Sequence, residues 1–264
     1  LESSSNNTVI GNNATANSYG IDLYSSSNNT VSGNNVTSNS YGIFLESSSN
    51  NTVIGNNATA NPYGVYLWYS NNETIIGNNA TANSNSGIYL YHSSNNTVNS
   101  NAAVSNSIYG ICLDSSSSNT VIGNTATANT QYGIYLYFSS NNNTINGNQV
   151  ATNHLDGIAL SSSSNNTIYH NNFIGNAIHA HVDSGSLGNV WNDSYPSGGN
   201  YWDNYTDVDV KSGPNQDQPN SDGIGDSPYI IDPINKDNYP LMKPWSTSVL
   251  PTVGGGGGRM PYMD

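Results

Sequence analysis

The sequence predicts an all-β chain wound as a parallel β-helix, and three observations carry that prediction. A short N-T-[VI] core recurs at a nearly constant step, the apolar positions inside each unit alternate, and turn-forming residues separate them. The aliphatic residue of the core stands at Val9, Val31, Val53, Ile75, Val98, Val121, Ile145 and Ile168, with Val190 as the ninth, in steps of 22 to 24 residues. A period in the low twenties with almost no drift marks a solenoid, whose units touch only their neighbours. Leucine-rich repeats share the period but need several leucines per unit, and here there is one.

Each unit offers three short strands. The first carries the N-T-[VI] core. The second places Ala14, Val36, Ala58, Ala80, Ala103, Ala126, Val150 and Phe173 five residues further on. The third reads Ile21 and Leu23, then Ile43 and Leu45, Val65 and Leu67, and so on to Ile158 and Leu160. Apolar residues at period two mean strand rather than helix. Stacked at about 4.8 Å per rung, eight to nine rungs make a rod on the order of 40 Å long. Its core is thin and much of it is alanine.

The corners account for the remaining regularities. Gly20, Gly42, Gly64, Gly87, Gly110, Gly133 and Gly157 precede the Ile-x-Leu strand, where the turn needs either positive φ or close backbone approach. Two asparagine columns, Asn12 to Asn171 and Asn17 to Asn176, run through the first eight rungs without exception. Asn tolerates left-handed backbone, and identical amides stacked along a rod can hydrogen-bond to one another as a ladder. These asparagines are therefore expected to be scaffold.

Composition narrows the function. The 264 residues are 34% hydrophobic and 8% charged, the net charge is -13, and no Lys or Arg occurs before Lys211. Nucleic acid is excluded as a partner because nothing neutralises phosphates, and an anionic polysaccharide needs a bridging metal. The lone Cys112 excludes an internal disulfide framework and is expected to fill one repeat position. No apolar run reaches the ~20 residues of a membrane span. Leu1-Glu2-Ser3 matches Leu45-Glu46-Ser47, so further repeats or a cap are expected upstream.

The outward positions of the third strand are rich in rings. Alternation sends Phe44, Tyr66, Tyr89 and Tyr135 to solvent between Ile and Leu, and Tyr24, Trp68, Tyr91 and Tyr137 just after Leu, with Tyr69 beside them. Rings spaced along a flat sheet suit stacking against sugar rings. The same pattern also arises where aromatics merely favour strands and cover their neighbours. On that face Asp22, Glu46 and Asp114 are the weak catalytic candidates. Asp22 and Glu46 lie one rung apart and two residues offset, within the roughly 5 to 9 Å that glycoside hydrolysis uses.

The acidic stretch near the C-terminus has the middle of an oxygen-rich calcium loop. Asp217, Asn220, Asp222, the carbonyl of Ile224 and Asp226 are its candidate ligands, with Gly223 as the tight turn. It departs from the full loop pattern at both ends, where position one is Gln218 and position twelve is Tyr229 rather than Glu. A solvated Asp-Gly turn is the other reading. Asn-x-Ser/Thr sequons occur throughout, Asn6, Asn13, Asn28, Asn35 and Asn57 among them, and most follow from the repeat itself.

The tandem N-N-T-[VI]-x-G-N and Y-G-I-x-L units, closing with NVWNDSYPSGGNYWDNYTDVDV and DGIGDSPYIIDPINKDNYPLMKPW, resemble the NosD-like parallel β-helix family over roughly residues 1–245. The resemblance implies a right-handed parallel β-helix, export from the cytoplasm to a periplasm or cell surface, frequent carbohydrate recognition, and kinship with repeats abundant in archaeal surface proteins. The family takes its name from an accessory protein of the copper enzyme nitrous oxide reductase. Copper is nevertheless not expected here. His179 and His181 sit on one side of a strand about 7 Å apart, with no third ligand evident, and His92 and His154 are lone corner residues.

Three regions result: β-helix over 1–187, an acidic cap over 188–245 in which Trp191, Trp202, Tyr229 and Trp245 close the core, and a Gly-rich tail over 246–264. The function expected is a non-catalytic surface domain presenting an aromatic face to a polysaccharide or cell-surface glycan. A structural spacer rod, a polysaccharide-processing domain and a copper accessory protein are the alternatives.

Overall fold

The structure, a computed structural model, describes residues 1–246, so the Gly-rich tail after Ser246 lies outside the described residues. Among the described residues there is no helix. Each turn follows the triplet seen first at Thr8–Ile10, Asn13–Thr15 and Tyr19–Tyr24, except that the fourth lacks the middle strand between Thr74–Ile76 and Ser86–Tyr91. The first and third strands pair in parallel and in register with their successors, Val9 with Val31 and Ile21 with Ile43. The first and third strands build two unbroken eight-stranded sheets. The second sheet is split into three-stranded and five-stranded parts, joined only by single bridges from Asn57 to Asn79 and from Asn79 to Ala102.

The alternation expected of the third strand holds from Ile21 onward. Leu23, Ile43, Leu45, Val65, Leu67, Ile88 and Leu90 are buried, as are Val31, Ile75 and Ala103 from the other two sheets. Such full burial of an aliphatic side chain contributes about 1.5 to 3 kcal/mol each.

Two glycine columns divide the two roles that a corner can ask for. Gly33, Gly55 and Gly77, after the first strand, have φ near +60° with open space where a Cβ would stand. The glycines before Ile-x-Leu are of the other kind. A Cβ on Gly42 would stand 2.3 Å from the Gly64 carbonyl, and one on Gly110 would stand 2.5 Å from that of Gly133. Close approach of successive rungs, not positive φ, is what this position requires.

The asparagine columns form ladders. Asn34 donates its side-chain amide to Asn56 Oδ1 (2.9 Å) and to the Val9 carbonyl (3.0 Å), and its own backbone N–H also reaches Asn56 Oδ1 (3.0 Å). Each amide thus links neighbouring rungs and satisfies corner backbone groups that the sheets leave free. The column from Asn17 behaves alike, as Asn39 to Asn61 shows. Two further interior columns escaped the sequence reading. One runs Asn7, Asn29, Asn51, Glu73, Asn96. The other is serine, where Ser48 N–H donates to Ser70 Oγ and Ser70 N–H to Ser93 Oγ. These were legible as an S-x-x-N spacing broken only at Ser70-Asn71-Asn72-Glu73, but Ser and Asn at a corner are ordinarily taken for wet surface.

Val190 does not continue the inner column as expected. It aligns with Thr167, stays 47% exposed, and hands the inner position to Trp191. The reason is volume: at the open end an indole fills what a valine cannot. Asn200 extends the amide ladder from Asn171, and Trp202 pairs with Phe173 and stacks between it and Tyr229. Buried Asp237 ties this end together by accepting the N–H groups of Asn200 (2.7 Å), Tyr239 (3.0 Å) and the Trp202 indole (3.0 Å).

Candidate binding face

The outer face of the long sheet gathers rings from successive rungs. Register places Phe44, Tyr66, Tyr89, Cys112 and Tyr135 in one column and Tyr24, Glu46, Trp68, Tyr91, Asp114 and Tyr137 in the next. A third column was missed. Tyr19, Tyr41 and Tyr63 stack on one another at 5.3 and 5.7 Å, and Tyr109 and Tyr132 repeat the contact at 5.7 Å. Strict alternation would put these tyrosines on the side of Ile21 and Ile43. The inward-facing glycine between them shifts the phase, so Tyr and the residue three further on share the outer face, as Tyr63 and Tyr66 do at 4.9 Å. The recurring Y-G-I was the available signal.

The added column changes who meets solvent. Phe44 and Tyr66 lie on the predicted side but are only 4% and 8% exposed, because rings on both flanks cover them. The prediction that they face solvent is corrected accordingly. Tyr24, Trp68, Tyr69 and Phe138 are exposed, and Tyr89, Tyr91, Tyr135 and Tyr137 are half-buried. Trp68 stands edge-on to Tyr91 at 5.4 Å, and Tyr69 stacks flat on His92 at 4.8 Å. Burial pushes the phenols of Tyr66 and Tyr89 well above the usual range, so they are neutral hydroxyls at any ordinary pH. At the fifth rung the rings give way to buried Cys112 and to Asp114, whose carboxylate accepts from the Tyr89 hydroxyl (2.9 Å) and from Ser115 Oγ (3.0 Å).

Of the three acids singled out in the sequence, Asp22 and Glu46 lie on adjacent strands, and Asp114 stands three rungs from Glu46. Asp114 is committed to Tyr89. Asp22 has one carboxylate oxygen buried without a partner, and burial, reinforced by Glu46 and Glu2, raises its carboxyl above the usual range.

The histidines do not gather either. His179 and His181 part company where the strand replaces Gly by His. His179 is buried with Nε2 2.7 Å from Asp203, while His181 is exposed with Nδ1 3.4 Å from Asp156. His170 stacks on Trp245 at 3.5 Å and places Nε2 2.8 Å from the Ser197 carbonyl. Among the described residues no three His, Cys, Asp or Glu side chains converge on one ion.

In the acidic loop the carboxylates hold backbone. Asp222 accepts from Gly213 N–H, Gln216 Nε2 and Ile224 N–H, and Asp226 accepts from Val210 and Lys211 N–H. Asp209, outside the predicted set, accepts from Asp222 and Gly223 N–H. Asp217 accepts from Gln218 Nε2, Asn220 takes φ 96°, and Ile224 is buried. Calcium here is carried by sequence spacing alone.

Residues 44–207 match the family described as periplasmic copper-binding protein (NosD), and residues 1–81 match the right-handed β-helix region. No protein among those with curated functions matches the chain. Among solved structures, a variant of the periplasmic alginate epimerase AlgG aligns at 26% identity and TM-score 0.57, over 60% of this chain and 39% of that one. The A-module of the Azotobacter vinelandii mannuronan C-5 epimerase AlgE6 aligns at 18% identity and TM-score 0.59, covering 70% and 58%. The Dettilon tailspike protein aligns at 19% identity and TM-score 0.52, covering 69% and 44%. The last two likenesses are of fold alone. The chain thus spans well under half of the AlgG structure.

Proposed function

The chain belongs to the NosD family of right-handed β-helix proteins, and from that premise we propose that its long sheet is a non-catalytic binding face for a neutral polysaccharide outside the cytoplasm. The observation that carries this reading is the three-column array of rings. Buried Phe44 and Tyr66 form a floor beside which Tyr24, Trp68, Tyr69 and Tyr91 present open edges, and Tyr137 stacks on Tyr135 beyond the fifth rung. Aromatic faces stack on the C–H faces of sugars, and phenol hydroxyls and the amides around them suit sugar hydroxyls. The alginate epimerase likeness supports a polysaccharide as ligand class, and the periplasmic relatives support an exported location.

Charge argues for a neutral glycan. A polyuronate would meet Asp22, Glu46 and Asp114 with no Lys or Arg on the first 210 residues to offset them. A glycan array probed with the full chain tests the reading. Binding to neutral glycans that Trp68→Ala combined with Tyr69→Ala removes supports it, and an array without signal sinks it. The spacer-rod reading draws on the covered rings and predicts that silent array.

A further inference from the structure

The repeat carries two kinds of Asn-x-Thr sequon, and the structure treats them differently. One kind lies in the second strand, as Asn13-Ala14-Thr15. Its asparagines form an outer amide ladder: Asn35 donates to Asn13 (2.9 Å), Asn57 to Asn35 (2.7 Å) and Asn79 to Asn57 (2.8 Å). The other kind sits on the corner before the first strand, as Asn28-Asn29-Thr30. There Asn28 turns outward in left-handed backbone (φ 56°), Asn29 turns inward to its ladder, and Thr30 comes out again at the strand start. The acceptor amide and the hydroxyl two residues on therefore reach solvent together. Asn6, Asn28, Asn50, Asn72, Asn95 and Asn142 repeat this geometry, all exposed, with φ from 56° to 60°. Their side chains lie outside every ladder.

We infer that this corner column is a modification site for N-linked glycans and that the strand column is not. In the reaction the side-chain Nδ2 bonds to the anomeric carbon of a lipid-pyrophosphate-linked oligosaccharide. The bond from that carbon to the phosphate oxygen breaks, the lipid pyrophosphate leaves, and the amide releases one proton. A corner amide can do this without breaking a protein hydrogen bond, whereas Asn35, Asn57 and Asn79 must each withdraw the Nδ2 that they donate to the rung before. From Asn6 to Asn95 successive corner asparagines are one rung apart, about 4.8 Å, whereas Ser118 leaves Asn142 two rungs from Asn95, and a branched oligosaccharide is wider than one rung. Glycans consequently occupy at most every second rung of one molecule. The seventh corner sequon, Asn165, has Gly188 set against its side-chain oxygen and is the poorest acceptor. Three serines separate Asn28 from Tyr24, so the glycans would line one edge of the aromatic face without covering it.

Export, part of the function proposed above, is needed only to bring chain and donor together, so the test is done in vitro. The folded full chain is incubated with a purified single-subunit oligosaccharyltransferase and its lipid-linked donor, and occupied sites are mapped by mass spectrometry after enzymatic deglycosylation in heavy-oxygen water. The urea-unfolded chain is the control. The expected result is modification of the folded chain at corner sequons, with adjacent rungs never occupied together and Asn35, Asn57 and Asn79 unmodified. Each corner Asn→Gln variant removes its own site. Equal occupancy of both columns, or modification of the unfolded chain only, overturns the inference. Neither outcome depends on whether the face binds a glycan.

Discussion

Asn51 donates its backbone N–H to Glu73 Oε2 at 2.6 Å and its side-chain amide to Glu73 Oε1 at 3.1 Å. Every neighbouring rung has an asparagine where Glu73 stands, and an asparagine there would both accept from below and donate onward. A carboxylate only accepts. Buried and without a cation, the Glu73 carboxyl is pushed up to about 7 by burial, against the lowering effect of the two Asn51 bonds. Because the folded-state value lies above the unfolded one, the acid contributes its full stability below about pH 4.5, and this contribution is lost as pH rises through 7. Glu73→Asn should raise the melting temperature at pH 8 and leave it nearly unchanged at pH 4.5. Thermal melts across that range check this, and an equal shift at both ends would refute it.

The two glycine columns make opposite demands. Gly110→Ala drives a Cβ into the Gly133 carbonyl and the Asn129 amide, at 2.5 and 2.7 Å, and overpacking of that kind costs about 1 to 3 kcal/mol or more. Gly77→Asn meets open space and keeps a residue that tolerates the left-handed region. Urea denaturation should show a large loss for the first and a small one for the second.

These glycines also show how far the fold could be read in advance. Period, strands, inner columns and two amide ladders followed from spacing, because in a solenoid each position repeats its environment at every rung. The phase shift at Gly42 and Gly64 did not follow, since a residue without a side chain carries no sign of which way it faces. That shift hid the Tyr19, Tyr41 and Tyr63 column, and with it the burial of Phe44 and Tyr66. Val190 failed for a different reason: the repeat ends there, and a cap answers to volume rather than to period.

Floor and rim of the aromatic face should separate by assay. Tyr66→Ala opens a cavity under rings at 4.9 to 5.9 Å and should cost on the order of 3 kcal/mol. Trp68→Ala, at 38% exposure, should shift the unfolding midpoint little while removing most of the glycan binding proposed here. Chemical denaturation and binding titration on the same two variants decide it. Equal destabilisation by both would make the rim structural.

Calcium at Asp222 and Asp226 has a direct test. If the loop binds the ion, calcium chloride raises the melting temperature of the full chain, and Asp222→Ala abolishes that rise. Identical melts in calcium and in chelator remove the ion. Asp222→Ala lowers stability in either case, because the Gly213 and Ile224 N–H groups and the Gln216 amide lose an acceptor.

At the closed end, buried Asp237 gathers the N–H groups of Asn200, Tyr239 and Trp202, and burial pushes its carboxyl up to about 6 despite them. Asp237→Ala would leave the Asn200 and Tyr239 backbone N–H groups and the Trp202 indole buried without acceptors. Each such orphan costs about 1 to 3 kcal/mol. Trp202 stacks on Phe173, so its displacement uncovers the last rung, whose strand edges are then free to pair with another rod. The variant should therefore unfold more easily and also associate end to end, seen as a concentration-dependent increase in mass by light scattering. Asp237→Asn keeps one acceptor oxygen and removes the burial of charge. It should recover much of the stability at pH 8 and suppress the association, and a variant that stays monomeric as alanine but associates as asparagine would contradict this account of the cap.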